Sequence, residues 1–292
     1  MGWWRADLKL VSAQRYSIEE LTEAYNQTRQ DYIVPMPMTA ARLKEYVETY
    51  DVSLPDSCVV IDGEEPELIM GLGMLGVREN RSWITRVGVL PYTRKLGAGS
   101  DILNQLIVTS EKLGIEYTWL EVISGNDPAH RLFIRNRFKK TRELMVLRRP
   151  PGTKIEDEAE FPAPTKIENI DRSEAVNQMI FEDGLPNWLN QPETFKNVEK
   201  LEVRKLIFAN GWEGWAFYEK TLLQLKRVFV QVLSGPSEKV TAHVLAWLHR
   251  EFPMPDAVCE NFEVHDPRIQ GYLRVGYFES FRRVEMVRNN KI

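Results

Sequence analysis

Residues 83 to 138 do most to constrain the fold of this chain. They open with Trp83-Ile84-Thr85-Arg86-Val87-Gly88-Val89-Leu90, a run rich in aromatic and β-branched side chains that reads as a strand and is stopped by Pro91. The turn Arg94-Lys95-Leu96-Gly97-Ala98-Gly99-Ser100 follows, and apolar Ile102, Leu103, Leu106, Ile107 and Leu113 then recur at helical spacing. A strand, a glycine turn and a helix start are the parts that offer free backbone N–H groups to a pyrophosphate. Glycine removes the Cβ that would hold a phosphate away, and the helix dipole adds about half a positive charge at its N-terminus. Downstream, Asn126-Asp127-Pro128-Ala129-His130-Arg131-Leu132-Phe133, ending in Phe138, reads as a capped short helix leading into a further strand.

Other phosphate motifs fail on the residues. The turn lacks the Gly-Lys-Ser/Thr ending of a P-loop, and a dinucleotide fingerprint needs a third glycine where Ile102 stands. A literal G-x-G-x-x-G occurs at Gly71, Gly73 and Gly76, but Val77-Arg78-Glu79-Asn80-Arg81-Ser82 and another strand follow it, with no helix start. It reads as a glycine-rich strand entering a hairpin.

Together the two segments resemble the signatures of the GNAT superfamily of acyl-CoA-dependent N-acyltransferases, R/Q-x-x-G-x-G/A and N-x-x-A-x-x-L-Y-x-x-x-G-F. That resemblance implies acetyl-CoA as cosubstrate. In this family the strands equivalent to 83–90 and 117–123 splay apart, and the pantetheine arm pairs with backbone groups in the gap. Val87, Gly88 and Val89 are then expected to face the arm, and Arg94, Lys95, Leu96, Gly97, Ala98, Gly99 and Ser100 to wrap the pyrophosphate. Asn126 is expected to reach the arm or to cap its helix. The chain departs from the pattern at Lys95, where glycine is common, and at Phe133, where the family usually supplies a tyrosine acid.

Composition fits a soluble enzyme of more than one domain: 292 residues, 43% hydrophobic and 27% charged, enough to bury two cores. A net charge of −4 leaves no electrostatic footprint for nucleic acid or an anionic membrane. No apolar run approaches the roughly twenty residues of a membrane span and no signal-peptide core follows Met1, so the expected location is cytoplasmic. Cys58 and Cys259 sit in apolar strand-like runs and read as buried thiols. His130, His243, His249 and His265 form no ligand set, and no metal is expected.

The chain repeats itself. Asp266-Pro267, Tyr272, Arg274, Gly276 and Tyr277 align with Asp127-Pro128, Phe133, Arg135, Arg137 and Phe138 at a constant offset of 139 residues, and each copy then runs into a strand, Glu143–Arg149 or Arg283–Arg288. Two copies of one fold are expected. Expected strands lie near 7–12, 57–62, 67–77, 82–90, 117–123 and 138–148, then 165–170, 205–210, 214–220, 226–233, 257–263 and 278–288. Expected helices lie near 17–30, 39–50, 98–113 and 127–136, then 172–183, 192–200, 237–251 and 266–275. The fold class is α/β, an α+β mixed sheet, in tandem GNAT-like domains: 1–150 catalytic and acetyl-CoA-binding, 151–164 an acidic, proline-bearing linker, and 165–292 degenerate. The second copy has Ser234-Gly235-Pro236-Ser237-Glu238-Lys239 at its turn, with one glycine, a proline lacking an N–H, and a glutamate that repels phosphate, so it is not expected to bind CoA.

Attack on a thioester needs a neutral amine. Deprotonating an amine of ordinary pKa near 10.4 at neutral pH costs roughly 4 kcal/mol, so a base or a proton-carrying water is useful. The run 82–90 has no carboxylate, which leaves Glu121 and Asp31 as candidates. By the resemblance, the loop Asp31-Tyr32-Ile33-Val34-Pro35-Met36-Pro37-Met38 shapes the acceptor side, with Tyr32, Met36, Met38 and Trp83 as an apolar wall or simply as core packing. The expected function is acetyl transfer from acetyl-CoA to a primary amine on a small molecule. The alternative is a CoA-binding regulatory protein without turnover, which Phe133 favours.

Overall fold

The computed structural model describes residues 8–63, 68–94, 96–181 and 184–291. Two compact units emerge: residues up to Thr141 together with those from Val284 onward, and Arg142–Arg283.

In the first unit the order is β1 (Leu8–Ser12), α1 (Ile18–Gln27), α2 (Ala40–Thr49), β2 (Cys58–Asp62), β3 (Ile69–Arg78), β4 (Arg81–Val89), α3 (Ala98–Lys112), β5 (Tyr117–Ile123) and α4 (Asp127–Arg135). A capping box between Ser17 and Glu20 starts α1, and the Thr39 side chain caps α2. The sheet runs β1-β2-β3-β4-β5, antiparallel through β4 and parallel from β4 to β5. Ile102, Leu103 and Leu106 of α3 are fully buried against Val60, Met70, Leu75, Ile84, Leu120 and Val122. A Cβ on Gly73 would stand 2.4 Å from Ile102 Cγ2 and 2.8 Å from Leu106 Cδ1. Gly71 and Gly73 of the G-x-G-x-x-G look-alike therefore let α3 lie close on β3.

The second unit contains β6 (Lys139–Arg149) from Arg142 onward, β7 (Lys166–Asn169), α5 (Arg172–Asn177), α6 (Pro192–Asn197), β8 (Leu201–Ile207), β9 (Glu213–Lys220), β10 (Gln224–Ser234), α7 (Ser237–Glu251), β11 (Asp256–Glu263) and α8 (Ile269–Arg274). Its sheet order is β6-β11-β10-β9-β8-β7, and β10–β11 is the parallel pair, as β4–β5 is in the first unit.

The strand that ends each copy in sequence completes the sheet of the other unit. Arg142–Arg149 of β6 pairs with β11, while residues 284–289 of β12 (Phe278–Asn289) lie beside β5. Met286 is fully buried in the α3 core, and Met145 and Leu147 are buried in the core of the second unit. These bounds differ from the expected 1–150 and 165–292. Two equivalent elements of similar pattern can exchange places at little cost, as in domain swapping. The stretch expected as a linker, 151–164, packs on the second unit: Phe161 is buried there, and Glu158 and Glu160 pair with Arg250 and Arg274.

Several expected element bounds also shift: α1 ends at Gln27 and α6 at Asn197, each three residues early, and three further shifts have a visible cause. Helix α5 stops at Asn177 because Gln231 of β10 takes the Ile180 N–H (3.2 Å) and donates to the Gln178 carbonyl (3.2 Å), groups a longer helix would have used itself. The strand expected at 205–210 begins at Leu201, where Leu201 and Val203 bury their side chains. Helix α8 begins only at Ile269, since Asp266 accepts from the Arg268 backbone in a preceding turn.

Candidate active site

Strand β4 carries a bulge. Its register with β3 jumps from Leu72↔Gly88 to Met74↔Thr85, giving β4 an extra residue, and Arg86 takes a left-handed φ of 56°. The bulge turns the Arg86 side chain to the face of Thr85, toward Tyr25 and Tyr46, instead of the α3 face that Ile84 occupies. The parallel ladder to β5 runs from Arg81↔Tyr117 to Ile84↔Leu120 and no further among the described residues. Ser82, Trp83 and Ile84 are buried, whereas Thr85 through Val89 are half-exposed. The two strands part where the bulge begins. Leu90 N–H donates to the Met70 carbonyl on the β3 side, so alternation turns the N–H and C=O of Val89 to the opposite, unpaired edge.

At the end of that edge α3 begins. Gly97 occupies its N-cap with φ 97°, a conformation that favours glycine, and no side chain caps the helix. Ser100 and Asp101 donate to the Gly97 carbonyl, which leaves the N–H groups of Gly97, Ala98 and Gly99 ahead of the first intrahelical bonds. A Cβ on Gly99 would lie 4.0 Å from Val89 Cγ1, so the turn sits directly over the open edge. Ala98 is buried, Ser100 half-buried and Leu96 exposed. Lys95 lies outside the described residues. Arg94 forms a fork with Asp31, at 2.5 and 2.6 Å, and its Nη2 lies 3.4 Å from the Thr28 carbonyl. The guanidinium holds the Asp31 carboxyl below its ordinary pKa, which makes Asp31 a weaker base.

On the face of α1 and α2, rings surround the bulge. Tyr46 Oη lies 2.6 Å from Thr85 Oγ1, Arg86 Cζ stands 4.1 Å over the Tyr46 ring, and Arg86 Nη1 donates to Tyr25 Oη at 3.1 Å. Burial raises the Tyr46 phenol far above its ordinary pKa, and the nearby Glu121 charge adds to that rise. Leu120 and Val122 point into the α3 core, so Glu121 between them faces Tyr46 and the bulge. Trp83 is buried under Tyr46 and Tyr50, at ring distances of 6.1 and 6.0 Å, and packs as core instead of lining an open wall. Tyr32 and Met36 are half-buried on the loop between α1 and α2. Asn26 ties that loop down by accepting from Met38 N–H and donating to the Met38 carbonyl, both at 2.9 Å. Asn126 caps α4 by accepting from Ala129 N–H, and its Nδ2 lies 3.4 Å from Tyr32 Oη.

Sequence reasoning missed Arg29. Its Nη2 donates to the Val87 carbonyl at 3.2 Å, its Nη1 to Thr28 Oγ1 at 3.0 Å, and its Cζ stands 4.2 Å over the Tyr25 ring. A Cβ on Gly88 would fall 2.8 Å from Arg29 Nη1, so glycine there makes room for the guanidinium. Phe133 is buried in the α3 core, edge-on to Phe138 at 6.1 Å, and carries no ionisable atom. Both cysteines are buried free thiols, and burial pushes Cys58 up to about 12. Among the described residues no group of three or more His, Cys, Asp or Glu is arranged to hold a metal ion.

The second unit repeats the bulge at Arg227, with φ 53° and the register of β10 slipping between Lys226 and Phe229. Its open edge is filled. Tyr272 Oη donates to the Val228 carbonyl at 3.3 Å, and Arg268 Nη1 donates to the Val230 carbonyl at 2.8 Å. The Arg268 guanidinium stands 4.6 Å over Phe229, which holds the place that Gly88 has in β4. Its turn is tight as well, since a Cβ on Gly235 would meet Trp212 at 2.6 Å.

Residues 18–137 match the family described as Acetyltransferase (GNAT) family. The GNAT family model thus falls on the first copy, and the chain as a whole has the fold of a tandem GNAT pair. A GCN5-related N-acetyltransferase from Sphaerobacter thermophilus is similar over 99% of this chain and 96% of its own, at 12% identity and a TM-score of 0.70. A tandem GNAT protein from the clavulanic acid biosynthesis pathway is similar over 97% of this chain and 99% of its own, at 14% identity and a TM-score of 0.66. A protein structure from Pyrococcus horikoshii is similar over 99% of this chain and 91% of its own, at 11% identity and a TM-score of 0.62. No curated protein matches the sequence. Among the described residues no helix is long and apolar enough to cross a membrane.

Proposed function

We propose that this chain transfers an acetyl group from acetyl-CoA to a primary amine on a small molecule, using the first unit alone. The observation that carries this reading is the unpaired Val89 edge running into the uncapped Gly97–Gly99 helix start, a backbone path for an amide-bearing arm ending at an anion site. Acetyl-CoA supplies the activated acyl group when bound. Val89 pairs with the arm, and the N–H groups of Gly97, Ala98 and Gly99 receive the pyrophosphate. Arg94 adds positive charge beside it on releasing Asp31, and Lys95, the next residue in sequence, is assigned to the same ligand.

Glu121, facing the gap from β5, takes the proton of the attacking amine, a step otherwise costing roughly 4 kcal/mol at neutral pH. The thiol that leaves has an ordinary pKa near 8.5, so its release as thiolate costs only about 2 kcal/mol and proceeds without a side-chain acid at Phe133. Tyr32 and Met36 line the acceptor side. In the second unit Tyr272, Arg268 and Phe229 fill the equivalent edge, which supports a non-binding role for it. The proposed location is cytoplasmic, and no metal takes part in this scheme. The buried Phe133 favours a second reading, a CoA-binding regulator without turnover, and an amine panel under multiple-turnover conditions separates the two.

Gly99→Glu tests the cofactor assignment. The new side chain places bulk and negative charge on the helix N-terminus, so calorimetry should show acetyl-CoA binding lost while circular dichroism stays unchanged. Unaltered affinity in the folded variant would remove the pyrophosphate from this turn.

A further inference from the structure

We propose that the amine acceptor carries a carboxylate and that Arg29 binds it. This rests on the acetyl-transfer reading above and names its substrate class. Arg29 sits half-buried on the acceptor face, where α1 runs into the loop that bears Tyr32, and touches the bulge through the Val87 carbonyl. Among the described residues its polar partners are a carbonyl and a hydroxyl, and its ring contacts are Tyr25 and Tyr32; none is a carboxylate. Two of its five N–H donors are used. The remaining donors suit one bidentate carboxylate, the geometry for which a guanidinium is matched.

The surroundings make an anionic guest favourable. Arg86 stands 5.3 Å from the same Tyr25 ring that Arg29 covers at 4.2 Å, so two guanidinium groups share one ring. Burial and the Arg86 charge both lower the pKa of Arg29, and a carboxylate on the remaining Arg29 donors offsets that desolvation. Glu121 faces the same region from β5, so an acceptor can present its amine to Glu121 and its acid group to Arg29. A purely structural duty for Arg29, clamping the bulge, would not depend on the charge of the acceptor.

The test uses matched pairs with the whole chain and acetyl-CoA: β-alanine against β-alaninamide, and L-lysine against 1,5-diaminopentane. Thiol release should favour the carboxylate member of a pair by tenfold or more in kcat/KM. Arg29→Gln should collapse that preference mainly through KM, and Arg29→Lys should restore part of it. Acetyl-CoA affinity and thermal unfolding monitor the fold of each variant. Equal use of both members, or an equal loss for both in Arg29→Gln, overturns the proposal. If no pair is acetylated although acetyl-CoA binds, β-alanine is titrated onto the CoA complex: binding lost in Arg29→Gln sustains the carboxylate site, and absence of binding refutes it. Failure to bind acetyl-CoA at all overturns the transferase reading, and this proposal falls with it.

Discussion

Met286→Ala is expected to weaken the first unit, although residue 286 belongs by sequence to the second copy. Its side chain is fully buried in the α3 core with Leu103, Leu106 and Leu120. Truncating a buried methionine to alanine costs about 2–5 kcal/mol, the range reflecting how far a cavity collapses. The neighbouring contacts, Arg288 with Glu111 at 2.9 Å and Asn290 with the Ile115 carbonyl at 3.0 Å, are retained in the variant and should limit collapse. A value near 3 kcal/mol raises the opening equilibrium by about two orders of magnitude. Amide hydrogen exchange read by mass spectrometry locates the effect: peptides from β3, β4, β5 and α3 should lose protection by that factor, and peptides from β7, β8 and β9 should keep theirs. Loss confined to residues 142–283, or a change below about 0.5 kcal/mol everywhere, would show that residues 284–289 do not complete the first sheet.

The filled edge of the second unit predicts one acetyl-CoA per chain, and a calorimetric titration with two equivalent sites would contradict it. Phe133→Tyr should bring no gain in single-turnover transfer and should lower stability by about 1–3 kcal/mol, because the added hydroxyl is buried in the α3 core beside Phe138, away from the thiolate; transfer that depended on Tyr272 instead would move the site to the second unit. Glu121→Gln should lower kcat by about a hundredfold or more, while Asp31→Asn should leave it within a few-fold. Asp31 has a depressed pKa in the folded chain, so its contribution to stability is present above its unfolded value near 3.9 and is lost as pH falls through the folded value. Arg94→Gln should move the Asp31 titration, followed by carboxyl NMR, back toward its ordinary range.

The strand, glycine turn and helix from Trp83 to Leu113 were legible because each is written locally: β-branched run, proline stop, two glycines and a 3.6-residue period. The bulge was harder to read. A left-handed φ at Arg86 leaves no glycine or asparagine as a mark, although a clue exists, since strict alternation would put Arg86 beside Ile84 in the core. Trp83 and Phe133 show a different limit. An aromatic residue next to a candidate pocket has the same letter whether it lines the pocket or lies beneath it, and only the covering rings of Tyr46, Tyr50 and Phe138 decide. Arg29 escaped notice because a single arginine at a helix end reads as a solvated charge until the burial of its neighbours is known. The placement of the two closing strands is set by which sheet edge each meets, a long-range choice that neither strand spells out.

That placement has a consequence for biosynthesis. A ribosome delivers residues 8–141 first, with β5 still lacking the neighbour that residues 284–289 provide. Domains generally fold in the order they emerge. Here the earlier unit cannot be finished until the whole of the later one has been translated, and meanwhile β5 exposes unpaired N–H and C=O groups that invite wrong partners. Slow translation or a stalled message would lengthen that interval, so the nascent chain is expected to rely on chaperones more heavily than two independent domains of the same size would.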